Sequence, residues 1–176
     1  MLFHVTKNAL ELGQWLTSPG DSQEVRQSLK DLNRWAVENL LNRSSSREAD
    51  WPSRIGGWYA ADSKGFCGLY ADTQQKVLPK HIQELPWHFY RVKMKAPRRC
   101  PMVLVDHCRR LLSAGGAADK AADHYWNPDD GWKIYESVGS LMYAIEEVDA
   151  PGLEVCGAHF QYETDSLRAK RMFPLP

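Results

Sequence analysis

Three stretches of this chain gather side chains that can do chemistry. In Phe3-His4-Val5-Thr6, His4 and Thr6 lie two residues apart, so in a strand both project from one face. Such a pair can hydrogen-bond the two hydroxyls of a ribose, or it can be the wet face of an edge strand. The second stretch runs Ser53-Arg54-Ile55-Gly56-Gly57-Trp58-Tyr59-Ala60-Ala61-Asp62-Ser63-Lys64 and on to Tyr70. Its glycine pair lets the backbone pass close to a neighbour. Tyr59 and Tyr70 are eleven positions apart. Two rings converging on a cleft would sandwich a flat heteroaromatic such as nicotinamide, each stack contributing on the order of 1 kcal/mol; two tyrosines filling core is the plainer reading. The third stretch, Tyr135-Glu136-Ser137, sets a carboxylate among apolar neighbours, where burial is costly unless the charge is paired or used. Beside a ribose, Glu136 would accept from the 2′-hydroxyl and stabilise the oxocarbenium-like charge left by a departing group. The alternative is a surface carboxylate at a helix start.

These residues need elements to hold them. Met1 to Thr6 reads as a first strand and Gly13 to Gly20 as a loop. Asp21, with Glu24 three residues on, forms a capping box. Val25, Leu29, Leu32, Ala36 and Leu40 follow at helical spacing, predicting one long helix to about Arg43, roughly 33 Å in length. Ser44 to Pro52 is a polar loop, Ile55 to Ala61 a strand and Ser63 to Asp72 a short helix or turn. Trp87 to Ala96 alternates, with Tyr90, Val92, Met94 and Ala96 on one face and Arg91, Lys93 and Lys95 on the other. Met102 to Asp106 is expected to be a strand, His107 to Ala114 and Ala117 to Tyr125 short helices, and Leu141 to Val148 and Leu153 to Tyr162 late strands. Trp132 to Gly139 fits a strand with Ile134, Glu136 and Val138 on one face, or a helix. The pattern is α+β in a single domain over residues 1–176, without repeats or linkers.

Composition bounds the classes. A chain of 176 residues with 43% hydrophobic and 25% charged residues can bury a core. Its 22 basic and 22 acidic residues cancel, so any affinity for nucleic acid needs a local patch. No apolar run approaches the roughly 20 residues of a membrane span. Cys67, Cys100, Cys108 and Cys156 show neither metal-ligand nor redox-pair spacing. No cleavable leader precedes them, and the expectation is four reduced thiols in a cytoplasmic protein.

Taken together, the three stretches resemble the ADP-ribosyltransferase superfamily in its histidine, tyrosine and glutamate version, that of diphtheria toxin and the poly-ADP-ribose polymerases. The resemblance lies in His-x-Thr on a first strand, Gly-x-Tyr-x-Ala with a second tyrosine downstream, and a late glutamate. Phe3-His4-Val5-Thr6 followed by Leu12-Gly13, and Pro52-Ser53-Arg54, are also similar to segments of uncharacterised bacterial families of that fold. The resemblance implies a split, mixed sheet with the long helix in the N-terminal half and short helices elsewhere. It implies NAD as ADP-ribose donor. His4 and Thr6 would hold the adenosine ribose, Tyr59 and Tyr70 would stack on nicotinamide, and Glu136 would be catalytic. The backbone around Gly57 would receive the carboxamide and Arg54 would meet the pyrophosphate. Val5 stands where the family usually has glycine, and Glu146, Glu147 and Glu154 stay open as alternatives to Glu136.

The acceptor is then a macromolecule. Arg91, Lys93 and Lys95, with Arg98, Arg99, Arg109, Arg110, Arg168, Lys170 and Arg171, form a cationic surface for RNA or DNA, ranked ahead of protein, unless they are scattered surface charge. A bacterial toxin or phage-defence effector, with an antitoxin or immunity protein as partner and no membrane contact, is the expected setting. Two other classes remain: a non-catalytic binding or immunity module on the same fold, and an RNA effector that uses histidines without NAD. Cys67 has no nearby histidine to activate it, His107 and Cys108 with Cys100 lack ligand spacing, and His124-Tyr125-Trp126 reads as packing that could flank a cleft.

Overall fold

The computed structural model describes all residues, 1–176. Seven strands form one sheet: β1 Leu2–Thr6, β2 Trp15–Thr17, β3 Trp58–Ala61, β4 His88–Met94, β5 Arg98–Pro101, β6 Tyr135–Gly139 and β7 Leu141–Val148. The helices are α1 Gln23–Asp31, α2 Trp35–Asn42, α3 Lys64–Gln75, α4 Lys80–Gln83, α5 Val103–Ser113, α6 Asp119–Trp126 and α7 Glu154–Met172. The fold is α+β. Strand order is β2-β7-β4-β1-β3-β6-β5, and every pairing is antiparallel. The sheet is therefore not mixed, as the family resemblance implied.

Its two halves meet weakly. β1 pairs with β4 along its whole length, but with β3 at the single register Phe3↔Ala61. The chain itself crosses this division. β6 belongs to the β3 and β5 half, and after Gly139-Ser140 it continues as β7 in the β2 and β4 half. At this corner Gly139 packs against Met94, whose Cε would lie 2.8 Å from an added side chain. Three apolar clusters fill the layers. Val37, Leu41, Leu104, Tyr125 and Val138 pack between the helices and β6; Phe66, Phe89, Ile134 and Ala158 pack under α3 and α7; Ala60, Tyr90, Val92 and Met142 form a smaller third cluster.

Several expectations are corrected. The long helix over 21–43 is two helices, because the chain turns at Leu32-Asn33-Arg34, where Asn33 takes the left-handed φ of 53°. The cap is Ser22, whose hydroxyl accepts from the Val25 amide, while Asp21 pairs with Arg26 at 2.6 Å. The expected loop over Gly13 to Gly20 contains β2. Strand β3 starts only at Trp58, since Gly56 has a φ of 67°. Met102 to Asp106 opens helix α5, and the preceding Arg98–Pro101 is the strand. Leu153 to Tyr162 belongs to α7, which buries Ala158, Asp165 and Ala169 at helical spacing. Within Trp132 to Gly139, the residues Tyr135–Gly139 form strand β6, buried throughout. No helix is long and apolar enough to cross a membrane.

Candidate functional site

A cavity of about 250 Å³ opens where β1 and β3 part, walled by α1, α2 and α3. His4, Arg54, Tyr59, Tyr70 and Glu136 all line it, together with Arg34, Glu38 and Cys67. Three of these residues, His4, Tyr59 and Glu136, reach it by strand geometry. Glu136 on β6 pairs with Ala61 on β3, so its side chain sits beside the weak seam. At that seam, His4 Nδ1 donates to the Tyr59 carbonyl oxygen at 2.6 Å. A carbonyl only accepts, so the proton is on Nδ1 and Nε2 carries the bare lone pair. Nε2 is shut off from solvent and has no partner in the chain. Burial lowers the His4 pKa, opposed in part by the bond to Tyr59, so the ring is neutral.

The floor of the cavity is an ion network that the sequence reading did not anticipate. Arg54 is 2% exposed. Its Nε lies 2.6 Å from Glu38 Oε2, and its Nη1 donates to both Glu136 Oε1 and the Tyr125 hydroxyl oxygen. Tyr125 in turn donates to Glu136 Oε1 at 2.7 Å. Arg34 Nη2 donates to Glu38 Oε1 at 3.1 Å, and its Nη1 reaches the Tyr70 hydroxyl at 3.4 Å. Two guanidinium groups thus face two carboxylates, which is what makes burial of four charges tolerable. Glu136 Oε1 has both donors, and no donor of the chain reaches Oε2.

The tyrosines are constrained as well. The Tyr59 hydroxyl donates to the Arg54 carbonyl, and the Arg54 guanidinium sits 4.8 Å from the Tyr59 ring centroid. Burial raises the Tyr59 pKa, with Glu38 reinforcing it, so the hydroxyl keeps its proton. Burial also pushes the Cys67 thiol up to about 12, which makes it inert in the cavity wall.

Other expected site residues lie elsewhere. Thr6 is outside the cavity, and its hydroxyl oxygen accepts from the Asn8 amide at 3.1 Å. Gly56 lines the cavity and Gly57 does not; a side chain at Gly57 would meet the Ser53 carbonyl at 2.4 Å, so that glycine serves packing. Arg54 is enclosed by carboxylates and is not free for a pyrophosphate. Arg91 pairs with Glu146 at 2.8 Å and Glu147 with His88 at 2.8 Å. Glu154 is exposed at the start of α7. Lys93 and Lys95 are exposed. Arg99 is neutralised by Asp62, Arg109 by Asp106 and Arg168 by Asp129, so the expected cationic face is patchy.

Sequence reasoning missed Glu38, Arg34 and the role of Tyr125. Arg34 and Glu38 stand four residues apart within the helical stretch, the spacing of an ion pair on one helix face, and that was the available signal. No group of three His, Cys, Asp or Glu side chains is placed to hold a metal ion. No family model matches the chain, and no curated protein matches it either.

Proposed function

We propose that this chain is an NAD-dependent mono-ADP-ribosyltransferase that modifies a macromolecule, nucleic acid ahead of protein, as a bacterial toxin or phage-defence effector. One observation carries the reading. His4, Tyr59, Tyr70 and Glu136, remote in sequence, line one cavity, where Glu136 Oε2, reached by no donor of the chain, can accept a hydrogen bond. A ribose hydroxyl is a donor that matches it. At about 250 Å³ the cavity is just under the usual range for small-molecule sites, roughly 300–1,000 Å³. A nicotinamide ring and its ribose would occupy it, with the adenylate end outside.

In that pose the C1′–N bond breaks with its electron pair going to nicotinamide. Glu136 would hold the ribose 2′-hydroxyl and stabilise the positive charge developing at C1′. A nucleophile of the acceptor then attacks C1′ and releases its proton to solvent. The protein supplies position and charge, with little covalent chemistry of its own.

A second reading, a non-catalytic binding or immunity module, is favoured by the closed Arg54–Glu136–Tyr125 triangle, which ties the carboxylate into the floor. Expression in a bacterial host, followed by probing RNA, DNA and protein for ADP-ribose, separates the two. Label that depends on the wild-type chain supports transfer. Its absence from all three pools, with no NAD affinity in calorimetry, supports the module.

A further inference from the structure

Helix α1 is the least anchored wall of the cavity. None of its nine residues is buried, and its faces meet three different surroundings. Val25 and Leu29, one turn apart, line the cavity. Arg26 and Lys30, one step round the helix, reach over the Trp35 ring of α2, at 5.9 and 5.8 Å from its centroid. Gln23, Gln27 and Asp31 line a second, broader hollow of about 680 Å³, with Leu78 and Pro79 across from them. The helix therefore stands between two voids.

We propose that α1 is a gate, which swings about its two ends into the outer hollow and uncovers the cavity, with Trp35 as its latch. A helix this short is marginal by itself and depends on tertiary packing. Here that packing is two half-buried aliphatic side chains and two cations near the outer limit of attraction to a ring. Elements held so lightly open at a small fraction of the free energy of global unfolding.

The ends of α1 suit the motion. Gly20 before it and Asn33 after it both take left-handed φ, 67° and 53°. The Gly20 amide donates to the Gly56 carbonyl oxygen at 3.2 Å, which fixes the first end to the segment leading into β3. The second end turns directly into α2. Residues at the ends of an element are where hinge motions take up their change in backbone angle. Outward movement meets open space, since the hollow already separates α1 from Leu78 and Pro79. With Val25 and Leu29 displaced, a ligand larger than about 250 Å³ can enter before the helix returns over it. The gate goes beyond the NAD reading and holds for any ligand of this cavity.

Cys67 reports the motion, because it is a buried residue of the cavity wall. Cys100 and Cys108 are buried in a different cluster, among Val37, Leu104 and Tyr125. In a Cys156→Ser background, the native chain is treated for hours with N-ethylmaleimide and read by mass spectrometry. Cys67 is expected to be labelled well ahead of Cys100 and Cys108. Arg26→Gln combined with Lys30→Gln, both at exposed positions, removes the latch. That variant is expected to label Cys67 about fivefold faster or more, the worth of two exposed cation–π contacts, with Cys100 and Cys108 unchanged. Three cysteines labelled at one common rate, a Cys67 as slow as Cys100, or a Cys67 rate that the double substitution leaves unchanged would each overturn the gate. The labelling uses no ligand, so its failure is distinct from a failure to release nicotinamide.

Discussion

Arg54 Nε and Glu38 Oε2 lie 2.6 Å apart in the interior, each side chain 2% exposed. A buried pair of this kind is strongly coupled to folding, because removing one partner strands the other charge away from water. Glu38→Ala is expected to destabilise the protein by about 3–5 kcal/mol. Glu38→Gln, which keeps a hydrogen-bonding group, is expected to cost less. Urea unfolding of the two variants beside wild type measures the difference; equal, small losses would show that the pair is dispensable.

The bond from His4 to the Tyr59 carbonyl has a pH consequence. Burial holds the folded-state pKa of His4 below the ordinary 6.5. Below pH 6.5 the unfolded chain binds a proton that the folded chain refuses, so stability falls as pH drops, by up to about 1.4 kcal/mol per pH unit. The loss levels off beneath the depressed folded value. His4→Gln is expected to flatten this slope between pH 7.5 and 5, as read from urea midpoints, and an unchanged slope would assign the effect to other groups.

Thiol reactivity should sort the four cysteines. Burial pushes the thiols of Cys67, Cys100 and Cys108 up to about 12, and all three are buried while Cys156 is exposed. Titration of the native protein at neutral pH with a chromogenic disulfide is expected to count one fast thiol, with the other three appearing on denaturation. Cys156→Ser should abolish the fast phase.

Two helical glycines should respond in opposite ways. A side chain at Gly65 would meet the Glu154 carbonyl oxygen at 2.4 Å, where α3 supports the start of α7. Gly65→Ala is expected to cost about 1–3 kcal/mol. Gly157 has open space around it, so Gly157→Ala is expected to add up to about 1 kcal/mol. Thermal melts of both variants check the signs.

Much of what surrounds the cavity was legible because strand period is two. That period assigns His4 and Tyr59 to faces, and β1 and β3 follow from local pattern, whereas the stretch holding Glu136 fitted a strand or a helix and only the structure makes it β6. The partner of Arg54 was not legible. Apolar spacing from Val25 to Leu40 continues through Leu32-Asn33-Arg34 as if the helix did, and only the left-handed Asn33 reorients Glu38 towards the interior. Likewise, Leu153 and Val155 mimic strand alternation, and the helical spacing of α7 shows only over Ala158 to Ala169. Thr6 shares a face with His4, but the cavity ends before reaching it. A strand face says which way a side chain points, and the extent of a cavity depends on helices packed from afar.

The central claim is that Glu136, held by Arg54 and Tyr125, acts on the ribose of NAD. Release of nicotinamide from NAD by purified protein, wild type beside Glu136→Gln, tests it most directly. Glutamine preserves shape and a hydrogen-bonding group but removes the charge that stabilises C1′, so turnover is expected to fall roughly 10²–10³-fold with NAD affinity largely kept. A Glu136→Gln variant that releases nicotinamide at the wild-type rate, or a wild type that binds NAD and releases none, would contradict the account.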